Sequence, residues 1–344
     1  MRRLLRCSRP SLLPGRSEVR ADYGDVTAEY LALRSGRGFV TGFSEIVWAS
    51  GPDTVDFLDG QVSQDVAAMP VGSTARSFVL EPRGKLVAMP WLLRGANRVG
   101  LIVGAGRGAA VIEHLERFKF RVDVELHIDP GETTEVWGAN LDDALTGFDL
   151  PSDLGWIDRD PATALLVGDP LCRLVLTGFE SDAARDLDLV AAGRVAADSV
   201  RVEAGEPVMG VDVDAGTIPQ ESGLVGAAVS FTKGCYVGQE LVARIDSRGR
   251  VNRRLVGISM AENVVPPVGA EVVVEETTVG TLSTVGESLA VRAPVALAMV
   301  RREVEPGDAV TVRWSSGDVV ARVHQLPLDD LSTLSHSSYT EHRE

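Results

Sequence analysis

The chain has 344 residues, 44% of them hydrophobic and 24% charged, with a formal net charge of −15. That composition suits a globular protein with room for two or three domains, and no apolar run reaches the roughly 18–20 residues that a bilayer demands. Three cysteines, Cys7, Cys172 and Cys235, form no C-x-x-C pair. A disulfide framework and a self-contained zinc site are thereby excluded, and a reducing compartment fits.

Charge is uneven along the chain. Residues 1–20 carry Arg2, Arg3, Arg6, Arg9, Arg16 and Arg20 against Glu18 alone, so this segment is +5 and the remainder −20. An acidic body repels nucleic acid, and no nucleic-acid or membrane partner is expected. The basic leader reads either as an organelle transit peptide, bound for the mitochondrial matrix, or as a disordered N-terminus. The Arg-over-Lys bias and the abundance of Ala, Val, Gly and Asp favour the second, in a bacterial cytoplasm.

The folded part is predicted to begin near Gly36. Val55, Phe57, Leu58 and Val62 mark a short helix after Gly51-Pro52; Phe78 to Leu80 is a strand, and Glu81-Pro82-Arg83-Gly84 a turn. Leu86 to Leu93 and Val99 to Val103 read as a hairpin turning at Arg94 to Asn97. A helix with Val111, Ile112, Leu115 and Phe118 on one face follows, then a strand at Val122 to Ile128. That order describes an α+β, ferredoxin-like unit. A second α/β stretch runs to about residue 200, with strands at 164–167 and 171–176 and a helix from Ser181. Val-rich runs at 254–260, 270–275, 278–287, 295–300, 309–314 and 318–325, separated by Gly and Pro, predict a small β-barrel.

Several motifs invite chemistry and fail on context. Gly104-Ala105-Gly106-Arg107-Gly108-Ala109 satisfies a dinucleotide fingerprint, with Glu125 at about the expected distance. The strand before it comes from a tight hairpin, whereas a Rossmann unit needs parallel strands. The acidic run Asp212 to Gly216 would place Gly223 where a calcium loop needs glutamate. No histidines pair at metal-ligand spacing, so no metal is expected.

The most informative stretch is Lys233-Gly234-Cys235-Tyr236-Val237-Gly238-Gln239-Glu240, just before a helical pattern of Val237, Leu241 and Ile245. A thiol beside a helix N-terminus and an ammonium is placed where its thiolate is favoured. The other fate open to it is that of a small buried apolar side chain.

Together with Arg201 to Pro207, Pro219-Gln220-Glu221, Asp53 to Val66, Glu81 to Lys85 and the Ala243–Gly249 run, this motif resembles the YgfZ family. These are folate-binding proteins related to the T-protein (aminomethyltransferase) of the glycine cleavage system. The resemblance covers about 36–325 and implies a pseudo-threefold arrangement around a central hole for a tetrahydrofolate. Two ferredoxin-like α+β subdomains and a C-terminal β-barrel make up that arrangement. On it the chain divides into a disordered leader over 1–33, a folate-binding region over 34–250, a barrel over 251–326 and a tail over 327–344. The folate-binding region comprises one subdomain of 34–128 with 201–250 and another of 129–200.

The resemblance also implies roles. Glu203, placed at a strand end, would accept the adjacent N–H donors of a pterin. Arg244 and Arg248, one turn apart, would hold the carboxylates of the folate tail. Tyr236 and Trp91 would pack on its rings. Cys235 would be the reactive thiol, Lys233 would lower its pKa, and Gln239 would hydrogen-bond beside it. The T-protein uses an acid near the reactive folate nitrogen; here the matching run, Gly84 to Pro90, has Met89 at or next to that place. Two functions stay open. One is a folate-dependent accessory protein for iron–sulfur cluster assembly or repair, acting on transient client or assembly partners. The other is a folate-dependent one-carbon transferase, with Asp212 or Glu203 standing in for the missing acid.

Overall fold

A computed structural model describes residues 19–138, 141, 155–158, 163–167, 171–177, 187–249 and 251–328. The chain opens with α1 (Val26–Ser35), β1 (Gly36–Thr41), β2 (Ser44–Ser50), α2 (Thr54–Asp59) and β3 (Thr74–Arg76). Then come β4 (Val79–Leu80), β5 (Leu86–Ala88), β6 (Trp91–Arg94), β7 (Arg98–Gly104), α3 (Gly108–Glu116), β8 (Glu125–Ile128) and β9 (Thr133–Gly138). Strands β10 (Trp156–Asp158), β11 (Thr163–Val167), β12 (Arg173–Thr177) and β13 (Val190–Ala191) precede α4 (Arg194–Ala204). After α5 (Gln239–Arg248) the chain ends in β14 (Arg253–Met260), β15 (Glu271–Val274), β16 (Thr277–Ser288), β17 (Ala293–Arg301), β18 (Ala309–Trp314) and β19 (Gly317–His324).

The first sheet has the order β3-β6-β7-β2-β8, with every neighbouring pair antiparallel. Its strand pattern β2-α2-β6-β7-α3-β8 is the ferredoxin-like unit expected from sequence. Alternation along β2 buries both faces. Val47 and Ala49 pack with Phe57 and Leu58 of α2 and Val111 and Leu115 of α3. Ile46 and Trp48 face the other way, onto Trp156 and Val175 of the second sheet. Because β7 is antiparallel to both neighbours, the glycine run after it is no dinucleotide turn. Gly108 N–H at the start of α3 donates instead to the buried Glu45 carboxylate.

The second sheet has the order β10-β11-β12-β9-β1-β13. Strand β1 pairs antiparallel with β9 and parallel with β13, so it lies in the sheet built by the 129–200 stretch rather than with the residues that follow it. Glycine makes this insertion fit. A Cβ at Gly38 would sit 2.5 Å from Leu33 N, so only glycine lets the strand pass under α1. The barrel closes as β14-β17-β16-β15-β18-β19 around Val256, Ile258, Val272, Leu282, Val312 and Val323. Its strands fall within three residues of each predicted run.

Three expectations about local structure are corrected. Residues 26–33 are not leader: α1 is capped by Asp25, whose carboxylate accepts Ala28 N–H at 3.0 Å, and it buries Tyr30 and Leu33. The apolar run 86–93 is two strands in two sheets, broken at Met89-Pro90 because proline donates no ladder hydrogen bond. Glu203 lies in a helix, not at a strand end: α4 reaches Ala204 and stops on Gly205, whose φ of 69° is the left-handed cap glycine permits. At the other end Leu326 and Leu328 pack on Val202, Leu255 and Leu297, ahead of residues 329–344, which lie outside the described residues. So does the expected helix from Ser181.

Candidate functional site

Where the two sheets meet the 201–209 segment, they leave a cavity of about 760 Å³ of empty space, its mouth included. Its walls include Met89, Trp91, Trp137, Glu135, Arg173 and Glu206. Met89 comes from the proline break, and no carboxylate of that run reaches the cavity. Trp91, 6% exposed, opens β6 and carries the Arg76 guanidinium 4.5 Å above its ring. Arg76 grips both oxygens of Glu206, and Arg173 lies 3.6 Å from both Glu206 and Glu135. Burial alone would raise the Glu206 pKa, but Arg76 and Arg173 outweigh it and hold the carboxyl below its ordinary value. Glu135 Oε1 accepts Ser44 Oγ–H at 2.6 Å and Oε2 accepts Trp137 Nε1–H at 2.9 Å.

Of the predicted folate contacts, Trp91 lines this cavity and Glu203 does not. The Glu203 carboxylate points from α4 toward α1, where Oε1 accepts Tyr30 O–H at 2.6 Å and Arg34 lies 3.4 Å from Oε2. Burial raises its pKa. Asp212 is also sealed: it accepts Arg201 Nη1–H, Val208 N–H and the hydroxyls of Ser283 and Thr284 within 2.8 Å. It fixes the 205–213 turn and has no capacity left for a proton-transfer role. Arg244 sits on the exposed side of α5, away from the cavity lining, and the Arg248 side chain lies outside the described residues. Sequence reasoning missed Glu206, although it closes the same Arg201–Pro207 stretch. The left-handed cap at Gly205 turns the chain and sends the next residue, Glu206, into the cavity.

Cys235 is exposed, on a loop ahead of the α5 N-terminus. Lys233 does not lie free beside it. Its ammonium is buried against Asp59 O (2.5 Å), Val62 O (3.0 Å), Gln64 O (2.8 Å) and Asp59 Oδ1 (3.1 Å). Four acceptors engage all three donors of the group. Burial lowers the Lys233 pKa, with Asp59 opposing. The same 59–64 segment accepts Val237 N–H at Gly60 O and Ser230 N–H at Ser63 O. The Asp53–Val66 motif is thus the cradle of the cysteine loop. Gln239 turns its Oε1 back onto Tyr236 N–H at 3.2 Å. Tyr236 is half-buried, and burial raises its phenol pKa. Gly84 and Gly238 bring the Glu81–Gly84 turn against this loop: added Cβ atoms would meet Leu241 Cβ at 2.6 Å and Glu81 O at 2.7 Å. Tyr236 packs on the Phe78, Leu80 and Leu86 cluster, as do Met89 and Met209. Those two methionines also line the cavity, so one apolar cluster separates thiol loop from cavity.

Residues 253–330 match the glycine cleavage T-protein C-terminal barrel domain. The chain is 29% identical over 232 residues to the tRNA-modifying protein YgfZ of Pectobacterium atrosepticum, spanning 64% of this chain and 69% of that one. Over 306 residues it is 28% identical to the iron-sulfur cluster assembly factor IBA57, mitochondrial, of Mus musculus, 82% of each chain. The crystal structure of glycine cleavage system aminomethyltransferase T from Bartonella henselae superposes with a TM-score of 0.80 at 22% identity, over 88% of this chain and 89% of that one. The chain is a YgfZ-family protein related to the glycine cleavage T-protein. The T-protein fold of this YgfZ-family chain thus rests on the barrel and on the whole-chain superposition together. Among the described residues no cluster of metal-ligating side chains occurs, and no helix is long and apolar enough to cross a membrane.

Proposed function

We propose that this YgfZ-family protein binds a reduced folate in the central cavity and serves iron–sulfur cluster assembly or repair as an accessory protein. Cys235 is its working thiol. One observation carries the reading: an exposed thiol on a clamped loop and a tryptophan-walled cavity with a few fixed polar groups share a single intervening apolar cluster. A bicyclic ring fits the class of cavity that has mostly apolar walls and a few fixed polar groups. Trp91 and Trp137 would flank the ring, and the ionic groups at Arg173 and Glu206 would orient it. One cysteine cannot hold a cluster alone, since clusters usually take about four ligands, so a client or assembly partner completes any such step.

One-carbon transfer is the weaker reading. It needs a free acid or base at the pterin, whereas Met89 occupies the expected place and Glu135 and Glu206 are both tied up. The test uses Cys235→Ala. Calorimetric titration with tetrahydrofolate is expected to be unchanged, while cells carrying only this variant lose iron–sulfur enzyme activity. Full activity in those cells would remove the thiol from the function; methylene-folate formed from an aminomethyl thioether, with ammonia and the thiol released, would restore the transferase reading.

A further inference from the structure

The polar groups of the cavity are unevenly used. Every carboxylate oxygen of Glu206 and Glu135 already accepts a donor: Arg76 twice, Ser44 once, Trp137 once. Arg201 is consumed by Asp212, Asp198, Thr284 and the Glu206 carbonyl, and Arg107 Nη2 donates to Met209 O. What remains without a partner is donors. Trp91 Nε1 and Arg173 Nε, both on residues of the cavity wall, are buried with no hydrogen bond, and so is Arg76 Nε just behind Trp91. Indole and guanidinium nitrogens can only donate. Buried N–H groups are nearly always paired, so two spare ones on the cavity wall call for an acceptor from outside the chain.

We infer that the ligand is held here by an acceptor edge, its oxo group taking hydrogen bonds from Trp91 Nε1 and Arg173. The inference rests on the folate reading and specifies it. The 4-oxo side of the pterin meets these donors, in place of its N–H side meeting a carboxylate. A 4-amino pterin would set donor against donor at the same spot and be rejected.

Tetrahydrofolate and tetrahydroaminopterin, which differ in a 4-oxo against a 4-amino group, decide the matter by anaerobic calorimetric titration. Wild type is expected to bind the oxo form at least about tenfold more tightly, the scale on which an unpaired buried polar group is felt. Trp91→Phe, which keeps an aromatic ring and removes the N–H, should weaken the oxo form and leave the amino form unchanged, collapsing the preference. Equal or tighter binding of the amino form to wild type overturns the inference and leaves the folate reading standing. Binding of neither overturns both. Should Trp91→Phe not fold, the two ligands on wild type settle the question alone.

Discussion

Lys233 is the residue whose expected and observed roles differ most, and replacing it separates them. In Lys233→Met the new side chain is one atom shorter than the old and fills most of the same channel without a charge. Three main-chain carbonyls and the Asp59 carboxylate lose their shared donor at a site where the lysine side chain is only 1% exposed. Removing one member of a buried charged set costs about 3–5 kcal/mol. Asp59 is 24% exposed, so water takes over part of its share and the low end, about 3 kcal/mol, is expected. Urea unfolding at pH 7 measures it. A companion assay follows the rate of iodoacetamide alkylation of Cys235 in the folded chain at pH 7, with Cys7 and Cys172 replaced by serine. An anchoring Lys233 leaves that rate where it is, because its ammonium is spent on the 59–64 oxygens. A stability change below about 1 kcal/mol, together with a roughly tenfold loss of alkylation rate, would refute the anchor and restore the activating role.

Three further outcomes are expected. Glu206 has its pKa held down in the folded chain, so its contribution is full above the unfolded value of about 4.3 and is lost as pH falls through the folded one. The stability gap between wild type and Glu206→Gln should therefore shrink on acidification from pH 6 to pH 3, and a gap that widens there contradicts the Arg76–Glu206 pairing. Glu203 runs the opposite way: its raised pKa means that ionisation weakens the fold as pH rises through the folded value. Glu203→Gln should match or exceed wild-type stability at pH 7 in thermal melts and bind folate normally; a tenfold loss of folate affinity would return that residue to the ligand. Gly238→Ala should cost about 2 kcal/mol or more in urea unfolding, since its φ of 82° penalises a side chain by roughly 1–2 kcal/mol and the Cβ presses on Glu81 O at 2.7 Å. Wild-type stability there would dismiss the close contact of the two glycine turns.

How much of this was legible in the sequence depends on how local the signal is. The barrel was readable because each strand is a Val-rich run fenced by turns, and its closure follows from pairing neighbours in space. The antiparallel course of β7 was readable from a four-residue turn. Helix α1 was legible too, through Asp25 and the spacing of Val26, Tyr30 and Leu33, but the arginines ahead of it drew the residues into a leader. Strand β1 was not, since nothing in Gly36 to Thr41 names β9 and β13 as partners. The site divides in the same way. The cysteine motif announced itself, and Trp91 could be placed by its strand. Choosing between Glu203 and Glu206 required the direction of the chain after Gly205. Sequence placed Lys233 next to Cys235; only tertiary structure could show that an aliphatic stem carries its charge to α2.

The position of β1 bears on how the protein is made. It emerges early from the ribosome, yet both its pairing partners lie at β9 and β13, far downstream. At about 5–20 residues per second the nascent strand waits roughly 5–20 s for the first partner and longer for the second. Meanwhile the first sheet, whose strands all lie between β2 and β8, has everything it needs to form. Synthesis thus leaves a sticky ribbon dangling ahead of a finished module, and a cell short of holdase capacity would lose this protein to aggregation at that moment.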